Sequence, residues 1–234
     1  RADARGRADL LHVESYDIAL DLTDGGGKPS ERTFRSTTTI RFRATRPGES
    51  SFIDVIADHF HAVTLNGAAV EVSAYRSADG IVLAGLAAEN VLVVDADLLY
   101  TNTGEGLHRF VDPLDGETYL YSQFETADAK RMYACFDQPD LKASFTVRAI
   151  VPEHWEVASN GAQAEVETLR AGKIVRHQER AVAHLLDIDR PTRIFAVLVE
   201  PSFGEGLGPV RSLPVGVDLG HHDAGADRNR AVPR

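Results

Sequence analysis

Polarity alternates every second residue through much of this sequence, a period that suits extended chain and not helix. Tyr16, Ile18, Leu20 and Leu22 are separated by Asp17, Ala19 and Asp21. Phe34, Ser36, Thr38, Ile40 and Phe42 alternate in the same way with Arg35, Thr37, Thr39, Arg41 and Arg43. Successive side chains of a strand point to opposite faces, so both stretches read as strands with one dry and one wet face. The Asp24-Gly25-Gly26-Gly27 loop between them favours a hairpin or meander connection. Further strands are expected at 51–56, 61–65, 89–99, 117–125, 142–151, 155–159, 174–178 and 193–200. Asn66-Gly67 and Asn160-Gly161 are turn signals, because the pair tolerates positive φ. Helical pattern is scarce. Thr126 suits the N-cap of one short helix over 127–133, closed off by Asp137-Gln138-Pro139. The expected fold class is therefore all-β, a sandwich or curved sheet with one short helix.

With 234 residues, 43% of them hydrophobic, the chain can bury a sizeable core in one large β-domain or two small ones. Its net charge of -10 repels phosphate backbones. The densest basic cluster, Lys28, Arg32, Arg35, Arg41 and Arg43, has acidic residues on both sides, so no nucleic-acid partner is expected. The one cysteine, Cys135, has no intramolecular disulfide partner, which suits a reducing, cytoplasmic location. Apolar runs such as 194–199 are far short of the ~20 residues of a membrane helix, and no membrane partner is expected. Residues 1–11 carry charges and no apolar core, unlike a signal peptide. The first residue is Arg and the one methionine is Met132, so the chain reads as trimmed or a fragment. Residues 1–8 read as a flexible N-terminus, 9–217 as the β-domain and 218–234, poor in large apolar residues, as a disordered tail.

The expected strand 117–125 is the most informative stretch. One face carries Thr118, Leu120, Ser122 and Phe124 and reads as core. The other carries Tyr119, Tyr121, Gln123 and Glu125, two aromatics followed by an amide and a carboxylate. An apolar floor with convergent polar groups is how small-ligand pockets are lined. A carboxylate held there pairs with an ammonium through charge-assisted hydrogen bonds. Alternatively, Glu125 merely lies near a helix N-terminus and favours its dipole.

Several blocks in one order resemble the aminopeptidase N family of zinc metallopeptidases, above all its actinobacterial-type members. They are Gly106-Leu107-His108-Arg109-Phe110, Tyr121-Ser122-Gln123-Phe124-Glu125, Cys135-Phe136-Asp137-Gln138-Pro139 and Lys142-Ala143-Ser144-Phe145. Weaker resemblance runs over roughly 9–200, so 9–217 resembles the family's N-terminal domain. The resemblance implies a saddle-like β-sandwich of mostly antiparallel strands that caps an active-site cleft. It implies that Glu125 anchors the free α-amino group of a peptide substrate and that Gln123 lines the pocket for the first side chain. Phe136, Asp137, Pro139 and Lys142 belong to a motif read as structural. The family binds zinc through His-Glu-x-x-His and a later Glu on a helical domain that follows, preceded by a Gly-x-Met-Glu-Asn loop. Neither motif occurs here, for none of the nine histidines has the required spacing. The expectation is thus the substrate-binding domain of a zinc aminopeptidase, inactive by itself and binding no metal. Its expected partners are peptides with a free N-terminus and the missing catalytic domain. A free-standing, non-catalytic β-sandwich binding module is the alternative.

Other constellations are weaker. His59 and His61 share a face of an extended segment, and His221-His222-Asp223 is a loose cluster, but neither shows a third and fourth ligand at a recognised spacing. His108 reads as a loop or core hydrogen bond. Cys135, followed by Phe136, reads as a buried thiol. Gly204, Gly206 and Gly208 read as a loop, lacking a strand–turn–helix context. Asp115, Glu117 and Glu125 hint at paired glycosidase carboxylates, but nothing sets their separation.

Overall fold

Among the described residues, three sheets built from fourteen strands share one hydrophobic core. The computed structural model describes residues 2–159, 162–179 and 198–201, all within one compact unit, Arg1–Ser202. A helix, α1 (Ala2–Leu10), runs directly into β1 (Leu11–Asp21) and then β2 (Thr33–Ala44). There follow β3 (Ser51–Ile53), β4 (Ala57–Leu65), β5 (Ala68–Ala69), β6 (Ile81–Leu83) and β7 (Glu89–Leu99). Next come β8 (Gly106–Val111), β9 (Thr118–Gln123), a 3₁₀ turn at Ala129–Arg131 and β10 (Ser144–Val151). The described strands end with β11 (Trp155–Ala158), β12 (Ala162–Thr168), β13 (Lys173–Glu179) and β14 (Leu198–Pro201).

The large sheet has the order β12-β13-β10-β1-β2-β7-β4-β5, the second β11-β14-β9-β8, and β3 pairs with β6. Among the described strands every pairing is antiparallel except β1 with β10, so the mostly-β, mostly antiparallel reading holds. The alternation carries the register as expected. Tyr16, Ile18, Leu20 and Leu22 of the first strand segment, and Phe34, Ile40 and Phe42 of β2, are buried. Leu92, Val94, Ala96 and Leu98 of β7 join them, while Arg35 and Asp95 pair on the wet face at 2.6 Å. Asn66 (φ 54°) and Gly67 (φ 81°) close the tight β4–β5 turn, two consecutive left-handed residues as the Asn-Gly signal requires. Asn160-Gly161, Gly204 to Gly208, His221-His222-Asp223 and the tail 218–234 lie outside the described residues, as does most of the expected strand 193–200.

Two local readings need correction. The expected helix over 127–133 shrinks to the three-residue 3₁₀ turn, with Asp128 and not Thr126 at its N-cap. The reason is competition for backbone groups. The Lys130 carbonyl accepts the Ile56 N–H at 2.7 Å, and Cys135 and Asp54 exchange both backbone hydrogen bonds at 2.9 and 3.0 Å. A chain held by those strand-like partners has no carbonyl ladder left to extend. Conversely, α1 arises where no element was expected. Its apolar face is meagre, but Arg7 is buried and reaches Asp54 at 2.7 Å and Gln138 at 2.9 Å. Tertiary contact, not amphipathic pattern, holds it.

Candidate functional site

The β8–β9 hairpin and the turn that follows it gather the residues singled out above. Thr118, Leu120, Ser122 and Phe124 are buried, and Tyr119, Tyr121, Gln123 and Glu125 emerge on the other side. The strand stops at Gln123, two residues earlier than expected, so Glu125 stands in a turn. That turn is closed by the Asp128 N–H donating to the Phe124 carbonyl at 3.2 Å, and its Glu125–Thr126 peptide bond is cis. Buried Phe124 fixes the orientation. Its ring packs edge-on against Tyr133 at 5.9 Å, so its two sequence neighbours, Gln123 and Glu125, are directed away from the core.

Glu125 is exposed and has no hydrogen-bond or ion-pair partner among the described residues. The 3₁₀ turn is too short for a macrodipole, which leaves the helix-dipole reading of Glu125 without a helix. Gln123 is half-buried and stands opposite Gly106 across the hairpin. Gly106 has φ +64°, and the stem of Arg131 fills the space a side chain would take there. Arg131 in turn bonds Asp128 at 2.8 Å and approaches Glu105 at 3.4 Å, so its charge is already compensated.

One pair was invisible in the sequence. His108 stacks on Tyr121, ring centroids 4.6 Å apart and 28° from parallel. The His108 Nδ1 accepts the Gly104 N–H at 3.0 Å, in line with the loop hydrogen bond expected of it. Desolvation lowers the pKa of this imidazole. The only signal able to find the pair is the hairpin register, which sets His108 opposite Tyr121.

The remaining candidates disperse. Asp115 accepts the Tyr119 hydroxyl and the Glu117 N–H, both at 2.8 Å, while Glu117 faces His154 at 3.6 Å. No carboxylate pair faces a cleft there. His59 and His61 meet edge-on at 4.9 Å, and His61 Nε2 lies 2.9 Å from Asp97 Oδ1. Among the described residues no group of three or more His, Cys, Asp or Glu is gathered to hold a metal ion. The donor set here does not fit a zinc ion. Cys135 is buried, and desolvation first, then the neighbouring Asp137 and Asp54 charges, raises its thiol pKa well above the usual range. That is an inert thiol, as expected.

Residues 12–184 match the family described as the Peptidase M1 N-terminal domain, and the chain belongs to that family. The chain is 51% identical to the aminopeptidase N of Streptomyces lividans over 166 residues, which make up 70% of this chain and 19% of that protein. It is 25% identical over 227 residues to the aminopeptidase N of Lactobacillus delbrueckii subsp. lactis, covering 96% of this chain and 25% of that one. It thus spans 19% to 25% of the length of these relatives. A solved M1 zinc metallopeptidase from Deinococcus radiodurans superimposes with a TM-score of 0.56 at 22% identity, over 73% of this chain and 39% of that one. This last likeness concerns the fold alone.

Proposed function

We propose that this chain is the substrate-binding N-terminal domain of a zinc aminopeptidase, a hydrolase that removes N-terminal residues from peptides. Glu125 binds the α-ammonium of the peptide and Gln123 lines the pocket for its first side chain. The observation that carries this reading is Glu125 itself: an exposed carboxylate without a partner among the described residues, directed outward beside Gln123. An exopeptidase must measure where a chain starts, and a fixed anion does so by pairing with the one positive charge every free N-terminus carries. Among the described residues this chain gathers no donor set for the metal. The zinc and the general base belong to a catalytic domain with which this one pairs. Peptides with a free N-terminus and that catalytic domain are the proposed partners, and the proposed location is cytoplasmic, a compartment in which a lone thiol such as that of Cys135 stays reduced.

The test is a graft. This chain replaces the 51%-identical segment of Streptomyces lividans aminopeptidase N, and kcat/KM is measured on aminoacyl amides with and without a free amino group. Losing a charge-assisted pair costs about 1.5–3 kcal/mol. Glu125→Ala is therefore expected to lower kcat/KM on free-amine substrates roughly ten- to 150-fold, with zinc content unchanged. Glu125→Gln loses less, since its amide oxygen still accepts a hydrogen bond. Gln123→Ala shifts side-chain preference more than overall rate. Unchanged kcat/KM in Glu125→Ala places the amine anchor elsewhere and sinks the reading.

A further inference from the structure

The outward face of the hairpin is graded, and its far end has no role in amine binding. Glu125 stands at the near end, then Gln123 opposite side-chain-less Gly106, then Tyr121 backed by His108. Alternate strand residues are about 6–7 Å apart, so each is a step further from the proposed ammonium position. At the middle step Gly106 contributes no side chain of its own, and the stem of Arg131 fills that place beside Gln123. At the far step the surface is two stacked rings.

We propose that the His108–Tyr121 stack is a specificity-determining platform for large apolar and aromatic first residues of the peptide. This rests on the amine-anchor reading of Glu125. A short first side chain such as alanine's ends above Gln123 and Gly106. A leucine, methionine or phenylalanine side chain extends past Gln123 and the Arg131 stem and meets the Tyr121 ring, which is 38% exposed and open to an offset or edge-on aromatic contact. The platform is uncharged, because His108 Nδ1 is engaged as an acceptor by the Gly104 N–H and cannot also carry a proton. Tyr121 is the contacting residue, and His108 is a positioning residue that fixes the tilt of its ring.

The same graft tests this, with phenylalanyl, leucyl and alanyl amides read side by side. Tyr121→Ala is expected to lower kcat/KM for the phenylalanyl and leucyl amides roughly three- to tenfold, mainly through KM. The alanyl amide changes less than about twofold, since its side chain does not reach the ring. Tyr121→Phe retains the preference, and His108→Ala weakens it in the same direction. Tyr121→Thr, which keeps strand propensity, serves if the alanine variant does not fold. An equal change on all three amides, or none, overturns the platform. Glu125→Ala read in parallel separates the two ideas. Uniform loss at Glu125 without selective loss at Tyr121 removes the platform alone, whereas no loss at Glu125 removes the amine anchor and the platform with it.

Discussion

Arg7 and Asp54, 47 positions apart, are joined at 2.7 Å between guanidinium Nη1 and carboxylate Oδ2. The same guanidinium lies 4.5 Å from the centre of the Phe52 ring and donates from Nε to Gln138. Asp54 Oδ2 also accepts the Asp137 N–H at 3.1 Å. One buried cation therefore ties the leading helix to the segment after β3 and to the Cys135–Gln138 turn.

Removing that cation should be costly. Arg7→Ala leaves Asp54 with one backbone donor and exposes the Phe52 ring, so a loss of about 1.5–3 kcal/mol is expected in urea denaturation. Arg7→Lys recovers only part of it, lacking the fork that serves two acceptors at once. A loss below about 0.5 kcal/mol, typical of exposed surface substitutions, would show that α1 is not held by this contact.

Thiol reagents should report on the neighbouring Cys135. Burial and the Asp137 and Asp54 charges disfavour its thiolate, and only the thiolate reacts. Labelling is expected to be slow in the native chain and fast in denaturant. Equal rates in the two states would place the thiol at the surface.

A Cβ at Gly106 would stand 2.5 Å from that of Arg131 on a backbone with φ +64°. Gly106→Ala is thus expected to cost about 1–3 kcal/mol. Gly67→Ala, also at positive φ but facing open space, pays only the backbone strain. Comparing the two melting temperatures isolates the contact with Arg131. Equal shifts would mean the arginine stem gives way freely.

His108 links the site to acidity. Its pKa is lowered by desolvation, so the fold favours the neutral ring and the unfolded chain binds more protons. The stability this contributes is complete above the unfolded value of about 6.5 and is lost as pH falls through the lower folded value. Protonation also displaces the Gly104 donor from Nδ1. NMR titration of the imidazole C–H should show a midpoint below the ordinary histidine value of about 6.5, with Tyr121 ring shifts following the same curve. A midpoint at or above the ordinary value would contradict the stack as described.

The strands were the legible part of this fold. In β2 and β7 the core face is spelled out by alternation, because each strand has one wet side. The face of β9 was legible for the same reason, and with it the outward direction of Gln123 and Glu125. What local pattern does not contain is partner choice. Nothing in 11–21 announces a parallel neighbour at 144–151, since parallel pairing leaves no turn between the strands. Likewise, Thr126 and the residues after it spell a helix only as long as Asp54 and Ile56 are ignored. The His108–Tyr121 stack failed for the same cause, as cross-strand register is a property of two segments and not of either one.

That parallel pairing has a consequence in time. Ser15 is matched with Ser144, and Asp21 with Ile150, so one side of β1 waits for chain made much later. At a synthesis rate of roughly 5–20 residues per second, the wait on a ribosome is on the order of ten seconds. Throughout it, β1 and β2 form a ribbon whose open edge exposes unpaired N–H and C=O groups to any other nascent chain. Closure of that edge by β10 is then the slow, long-range event of the fold, and a ribosome pausing before residue 144 would prolong the exposure.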